Sequence, residues 1–384
     1  MTRLLLVSHS ANIGGTEVCF DRALRSLAAD ARYEILAAYP DGVLASEWER
    51  LAPRIPFEGS LPPTFSLKSY MGWLARGLLY RGRLRQVIRK ERPDAVVVFS
   101  ATATSVVRAA SREGVPCVCY VREFVRPLWV QAALWRFLAR RCATIIAVSG
   151  ALATALAESA SAPPAAGASI RVVRDGVPVP DTWGTDHTAG PPLVACYAGY
   201  NPSKGAEVFV RAAARVHAAQ EWKSEAAETV RFVLYGAPTG VQGGYRDRLH
   251  ELVESLDLSA VFSFEESTDF APTYSLSWIV VVPSLLEGLG LVALEAMASG
   301  VPVVASDTGG LADVVQESTG NLFPPGDDEA LSRCVLALLD DVEGLVSRGE
   351  RARERVRQEF SVERSVMGLE RVLDEIVASR AAIH

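Results

Sequence analysis

The chain has 384 residues, of which 49% are hydrophobic, and a formal net charge of -6. That length usually makes two domains, and the absence of any apolar run of about 18 residues predicts no transmembrane helix. Six scattered cysteines without a C-x-x-C, and no histidine pair at ligand spacing, exclude a disulfide framework and a structural zinc and fit a reduced cytoplasmic protein.

The charge is uneven. Residues 1–185 hold 23 Lys and Arg against 15 Asp and Glu, and the remainder holds 16 against 30. A basic half beside an acidic half suits an anionic partner of one half, and no nucleic-acid partner is expected.

Taken in chain order, MTRLLLVSHS reads as a first buried strand over Leu4–Ser8 rather than a signal peptide. The next loop, His9–Glu17, carries Gly14 and Gly15 ahead of a helix over Thr16–Ala29. Paired glycines there bring backbone N–H groups against a phosphate or sugar, and a plain tight turn accounts for them equally well. The G-x-G-x-x-G spacing is absent. His9 lies beside this loop and reads as a structural histidine. Strands follow at Tyr33–Ala38, Ala95–Ser100, Pro116–Val121 and Thr144–Ser149, with helices at Thr104–Arg112, Leu128–Arg141 and Ala151–Ser159. Cys117 and Cys119 alternate as core thiols. Between the second and third strands lies Lys68–Arg92, rich in arginine with Trp73, Leu74, Leu78, Leu79 and Tyr80 interleaved. On a helix this is a basic amphipathic surface of the kind that rests on anionic lipid, or a solvated face with its apolar side in the core.

Composition breaks at Ser161–Gly167 and again at Val177–Pro192, which reads as a hinge. A second series of strands runs over Leu193–Ala198, Val230–Tyr235, Val261–Phe264, Ile279–Pro283 and Val301–Ser306. Its helices are Ala206–Ala219, Tyr245–Leu256, Leu291–Ala298 and Glu329–Leu339, and an amphipathic tail covers Val362–Ala378. Near-continuous apolar strands alternating with helices predict an α/β fold: two doubly wound, Rossmann-like domains facing across a cleft. The first domain covers 1–185 with a C-terminal helix over 362–384, and the second covers 190–361.

Three loops of the second half carry candidate chemistry. Gly199–Gly205 holds Lys204, a cation placed to neutralise a diphosphate, without the Walker pattern of an ATPase. Ser263–Glu266, with Phe264 and Glu265, follows a strand and can bracket a base through its backbone. The most informative stretch is Ser284–Gly300, SLLEGLGLVALEAMASG. Gly288-Leu289-Gly290 and Leu291 open a helix whose free N–H groups favour a phosphate. Eight helical residues turn through about 800°, which would set Glu287 and Glu295 roughly 80° apart and roughly 12 Å along one axis. Glu287 therefore belongs to the turn and Glu295 to the helix, which Gly300 ends as its C-cap. Glu287 then suits a donor sugar and Glu295 a ribose diol; a capping acid and a solvated glutamate are the plain alternative. No D-x-D pair and no G-x-S-x-G elbow occurs, so neither a carboxylate-held metal nor a common hydrolase is expected.

Together these residues resemble the family-4 glycosyltransferases, retaining enzymes of the GT-B fold, over nearly the whole chain. Glu287-Gly288-Leu289-Gly290 with Glu295 looks like that family's E-x7-E motif, and Ala296–Val303 continues the pattern. Gly14-Gly15 with Glu17, Asp175-Gly176-Val177, Lys204-Gly205, Gly309-Gly310 with Asp313 and Gly320-Asn321-Leu322 add to it. The resemblance implies that Lys204 and the N–H groups of Gly288–Leu291 hold the donor diphosphate, with Gly14 and Gly15 facing from the other domain. Glu295 would bind the ribose and Glu287 the transferred sugar, and the tail helix would cross back to the first domain. No cofactor is implied, the nucleotide-diphosphate sugar being a co-substrate, with UDP favoured over GDP or dTDP.

Two departures stand out. The family's arginine before the loop lysine is absent, since Tyr200 and Asn201 follow Gly199. Its first-domain histidine is replaced by Tyr120-Val121-Arg122-Glu123. Arg122 is then the candidate for the missing cation and Glu123 for acceptor contact; the competing reading makes Arg122 a bridge to Glu123 or another acid. The acceptor is a hydroxyl of a glycan, glycolipid or natural product, and residues 68–92 point to a lipid-linked one at the inner membrane face. A non-catalytic nucleotide-sugar-binding subunit and a sugar-nucleotide 2-epimerase stay open; donor turnover with acceptor separates the subunit from a transferase, and product linkage or its absence separates the epimerase.

Overall fold

Leu4, Leu5, Leu6 and Val7 are at most 1% exposed, and Val96, Val97 and Val98 are fully buried. Strands buried on both faces need a layer of helices on each side, which parallel crossover connections supply. The computed structural model describes residues 1–12, 14–56, 84–159, 168–181, 191–220, 229–236, 244–267 and 270–381 and holds two such sheets. The chain divides into two compact units, Met1–Gly176 with Val362–His384, and Val177–Ser361.

The first unit runs β1 (Thr2–Val7), α1 (Gly15–Ala29), β2 (Tyr33–Tyr39), α2 (Ala45–Trp48), β3 (Arg54–Pro56), α3 (84–91), β4 (Ala95–Val98), α4 (Thr104–Arg112), β5 (Cys117–Val121), α5 (Leu128–Ala139), β6 (Thr144–Ala147), α6 (Gly150–Ser159) and β7 (Ser169–Val172). All seven strands are parallel, in the order β3-β2-β1-β4-β5-β6-β7. Under one face Phe20 sits 4.6 Å from Trp48 and 5.1 Å from Phe99 between ring centroids. The edge strands β3 and β7 were not expected. One is three residues ending in Pro56 and the other is half-exposed, so neither shows an apolar run.

The second unit runs β8 (Leu193–Cys196), a 3₁₀ turn (Pro202–Lys204), α7 (Ala206–Gln220), β9 (Arg231–Gly236), α8 (Tyr245–Ser255), β10 (Phe262–Glu266), α9 (Ala271–Tyr274), β11 (Ile279–Val282), α10 (Leu291–Ala298), β12 (Val303–Ser306), α11 (Leu311–Val314), β13 (Gly320–Phe323), α12 (Asp328–Leu339) and α13 (Val342–Glu359). Its six parallel strands follow the order β10-β9-β8-β11-β12-β13. Phe209, Phe232 and Phe262 interlock in its core.

Helix α13 escapes sequence reading because its apolar stripe is thin: Leu345, Ala352 and Val356, with Gly349 and a buried Arg353 between them. Arg353 is tolerated there because it donates to the Ala298 carbonyl at 2.6 Å and also to the Pro180 carbonyl. The last helix, α14 (Val362–Ala381), belongs to the first unit. It buries Leu369, Val372, Leu373 and Ile376, and Arg32 of that unit pairs with Glu370 at 2.7 Å. The first composition break, 161–167, and the 182–190 part of the second lie outside the described residues.

Two local expectations need correction. Phe264 and Glu265 do not follow a strand: they are part of the edge strand β10, where Phe264 stacks on His250 at 3.9 Å and Glu265 is exposed. Gly300 is one residue past the C-cap, which is Ser299, and takes a φ of 75°.

Candidate functional site

In the second sheet the strand order turns between β8 and β11, which lie side by side. The loops leaving their carboxyl ends flank the switch point at which open α/β sheets bind ligands. After β8, the Asn201 side chain accepts the Ser203 N–H at 3.0 Å and closes the 3₁₀ turn that presents Lys204. Gly205 then takes a φ of 73°, and a Cβ there would lie 1.9 Å from the Pro283 carbonyl oxygen. Only glycine lets this turn press onto the end of β11. The Leu285 N–H donates to the Ser203 carbonyl at 2.9 Å and ties the two loops together.

The side chains meet as a result. Lys204 Nζ donates to Glu287 Oε2 at 2.7 Å, and Ser284 Oγ donates to the same oxygen at 2.9 Å. The Glu287 side chain is 16% exposed and that of Lys204 is 39% exposed. The Gly310 N–H holds the Glu287 carbonyl at 3.1 Å. Gly290, at φ 100°, starts α10 with no side-chain cap, so the first N–H groups of this helix are not satisfied by a capping side chain. An ammonium, a carboxylate and a helix N-terminus thus share one end of the sheet. The arrangement can receive an anion and, beside it, hydroxyl groups.

Glu295 stands in the second turn of α10 and accepts the Tyr274 hydroxyl at 3.0 Å. Tyr274 is 2% exposed and packs 4.5 Å from the Tyr197 ring, which stacks on Tyr235 at 4.7 Å. Sequence reading missed this aromatic support and Ser284. Tyr197, directly after the β8 run, was the visible hint. Gly199 donates its N–H to the Tyr235 carbonyl at 3.1 Å, and the next residue, Tyr200, is a buried ring with the Arg246 guanidinium 5.2 Å from its centre.

The candidates of the first unit form their own group. Arg122, at the end of β5, is 10% exposed and Asp175 is 5% exposed. Nε and Nη2 of Arg122 donate to the two Asp175 oxygens at 3.0 and 2.9 Å, and Nη1 donates to the Phe99 carbonyl at 2.7 Å. The guanidinium also stacks 4.1 Å from the Tyr120 ring centre. Burial opposes its charge, but Asp175 outweighs that and holds its pKa above the ordinary value. The fork that sequence offered to a phosphate is filled by Asp175, not Glu123. This is the structural-bridge geometry. Glu123 itself is exposed.

Gly14 precedes α1, and a Cβ there would lie 2.6 Å from Glu17 Oε2, so the glycine makes room for a carboxylate folded back over the loop. Glu17 is 6% exposed, and burial raises its pKa. His9 Nδ1 stops 3.6 Å from Glu17 Oε1, and both atoms are buried without a hydrogen-bond partner. Burial, then the Arg122 charge, lowers the His9 pKa. His9 is therefore not the satisfied structural histidine expected. Gly15 opens the first turn of α1.

Of the basic stretch 68–92, residues 68–83 lie outside the described residues. In the rest, Leu84 and Ile88 are core residues, and Arg85 and Arg89 both donate to Glu113. Among the described residues no group of three His, Cys, Asp or Glu is placed to hold a metal ion. No helix among them is long and apolar enough to cross a membrane.

Two parallel-sheet α/β units, with a glycine-spaced turn and helix start at the switch point of the second, define the GT-B class. Known proteins agree with that reading. Residues 13–179 match the family model described as Glycosyltransferase Family 4, and residues 182–355 match that of Glycosyl transferases group 1. A lipopolysaccharide core biosynthesis mannosyltransferase of Rhizobium leguminosarum bv. viciae is 32% identical over 188 residues, 48% of this chain and 51% of that protein. A D-inositol 3-phosphate glycosyltransferase of Salinispora arenicola is 35% identical over 191 residues, 49% of this chain and 42% of that protein. The chain thus spans about half the length of the curated relatives it matches. Two solved structures share the fold. Sucrose-phosphate synthase from Thermosynechococcus elongatus has a TM-score of 0.80 at 20% identity over 99% of this chain and 100% of that one. Anabaena HepE in complex with UDP-glucose has a TM-score of 0.79 at 20% identity over 98% and 100%. The chain belongs to the family-4 glycosyltransferases of the GT-B fold.

Proposed function

We propose that this protein moves a sugar from a UDP-sugar to a hydroxyl acceptor, with retention of anomeric configuration and without a metal. The observation that carries the reading is the Lys204–Glu287 contact of 2.7 Å at the switch point, beside the uncapped start of α10. In this reading Lys204 and the N–H groups from Gly288 to Leu291 face the diphosphate. Glu287, already fixed by Lys204 and Ser284, holds hydroxyls of the transferred sugar. Glu295, oriented by Tyr274, accepts from the ribose diol. The HepE complex with UDP-glucose supports the choice of a uridine donor.

The bond from the anomeric carbon to the leaving phosphate oxygen breaks as the acceptor oxygen bonds to that carbon from the same face. The acceptor proton passes to the leaving phosphate. No protein nucleophile is needed, and stabilising charge on the leaving diphosphate is the protein's main task. Arg122, whose fork is taken by Asp175 and the Phe99 carbonyl, has no part in holding the donor in this reading. Gly14, Gly15 and Glu123 lie on the acceptor-side unit, and the acceptor class includes glycans, lipid-linked glycans and natural products.

The test incubates the full chain with single UDP-sugars and a panel of such acceptors, with proton NMR of the product. Formation of an α-linked product from an α-linked donor is expected. A β-linked product overturns retention, and a chain that binds UDP-sugar yet transfers to no acceptor favours a binding subunit.

A further inference from the structure

Helix α5 is acid-free and exposed along one stripe that ends in two arginines. Trp129, Ala133, Arg136 and Arg140, the last the helix C-cap, are all exposed and recur at steps of four, three and four residues, which places them on one face. No Asp or Glu occurs between Glu123 and Glu158. At the amino end of the stripe Leu128 is 66% exposed and Trp129 is 73% exposed, next to an exposed Arg126.

The carboxyl end meets α4. The Phe137 ring has the Arg141 guanidinium 4.4 Å and the Arg108 guanidinium 5.4 Å from its centre. Burial, then the charges of Arg108, Arg140 and Arg112, lowers the Arg141 pKa, so four arginines crowd together. Glu113, which follows Arg112, is already taken by Arg85 and Arg89. Among the described residues none of Arg108, Arg112, Arg126, Arg136, Arg140 and Arg141 forms an ion pair. A solvated helix face normally intersperses both signs. This one concentrates positive charge beside exposed apolar side chains.

We propose that α5, with Arg108 and Arg112 of α4, is a docking surface for an anionic lipid bilayer. Arginine forks match phosphodiester oxygens. Trp129 suits the headgroup layer, where aromatic rings with a polar edge concentrate, and Leu128 reaches the acyl boundary beneath it. A polyanion in water would satisfy the arginines but leave Leu128 exposed. The charge complementarity and the apolar tip together favour lipid. The surface is independent of how sugar is transferred, so its failure leaves the transfer reading intact.

The test is co-sedimentation of the full chain with vesicles of pure phosphatidylcholine or of phosphatidylcholine with phosphatidylglycerol, at low salt. Binding to the anionic vesicles alone is expected. Arg136→Gln with Arg140→Gln, both at exposed positions, should weaken it about 25-fold, about fivefold for each charge. Trp129→Ala should weaken vesicle binding while leaving retention on heparin unchanged. Wild-type protein that ignores anionic vesicles overturns the proposal. So does a Trp129→Ala variant that binds vesicles and heparin as the wild type does, which would assign the face to a soluble polyanion.

Discussion

Replacing Arg122 by Lys should cost stability rather than turnover. In this structure the guanidinium makes three donor contacts, two to Asp175 and one to the Phe99 carbonyl, and both charged side chains are nearly buried. A lysine ammonium can keep the charge and one carboxylate contact, but it cannot span both oxygens and the carbonyl. Loss of one charge-assisted bond costs about 1.5–3 kcal/mol. Arg122→Met strips the whole charge from a buried pair and should cost about 3–5 kcal/mol. Adding Asp175→Leu to Arg122→Met should recover part of that loss, because no buried carboxylate is then left unpaired. Urea unfolding of the wild type, Arg122→Met, Asp175→Leu and the double variant measures the coupling, and Arg122→Lys is unfolded beside them with steady-state turnover read on the same samples. If Arg122→Lys unfolded like wild type while kcat fell about tenfold, equivalent to about 1.4 kcal/mol in the barrier, the bridge reasoning would fail and the fork would be serving a ligand.

Glu287→Ala should depress turnover more than UDP affinity, because its proposed partner is the sugar; equal losses in both, by kinetics and calorimetry, would remove that role. Transfer should survive EDTA, and a complete loss restored by Mg²⁺ or Mn²⁺ would contradict metal independence. His9 has its pKa lowered by burial, so the stability tied to its neutral form is present above about 6.5 and is lost as pH falls through the lowered value. Glu17, raised by burial, works in the opposite sense, its contribution being complete below the usual glutamate range and lost as pH rises. His9→Gln should therefore flatten the fall in melting temperature below pH 6.5, and an unchanged slope would show that His9 does not carry it.

The parts legible in the sequence are those written in local patterns. The runs at Leu4–Val7, Val96–Val98 and Ile279–Val282 declare parallel strands because burial on both faces demands apolar residues at every position. The turn Gly288-Leu289-Gly290 declares the start of α10, and the spacing of Glu287 and Glu295 by itself separates turn from helix. Pairings across long stretches of chain were not legible. Arg122 finds Asp175, 53 positions away, and Glu295 finds Tyr274 on another helix, because sheet order decides which loop ends meet. Polar partners leave no periodic trace. Helix α13 was missed for a related reason: its buried Arg353 and Gly349 break the apolar stripe that a pattern search follows. The edge strands β3 and β7 carry too few buried residues to stand out.

The central claim is that the loops after β8 and β11 hold a nucleotide diphosphate. Titration calorimetry of UDP into the wild type, Lys204→Ala and Glu295→Ala tests it most directly, with circular dichroism to confirm folding. The account predicts binding to the wild type and a loss of about 1.5–3 kcal/mol in each variant, since each removes a charged hydrogen-bond partner of the ligand. Lys204→Ala should lose affinity for UDP but not for uridine, whereas Glu295→Ala should lose both. Equal UDP affinity in all three folded proteins would contradict the account and place the nucleotide elsewhere.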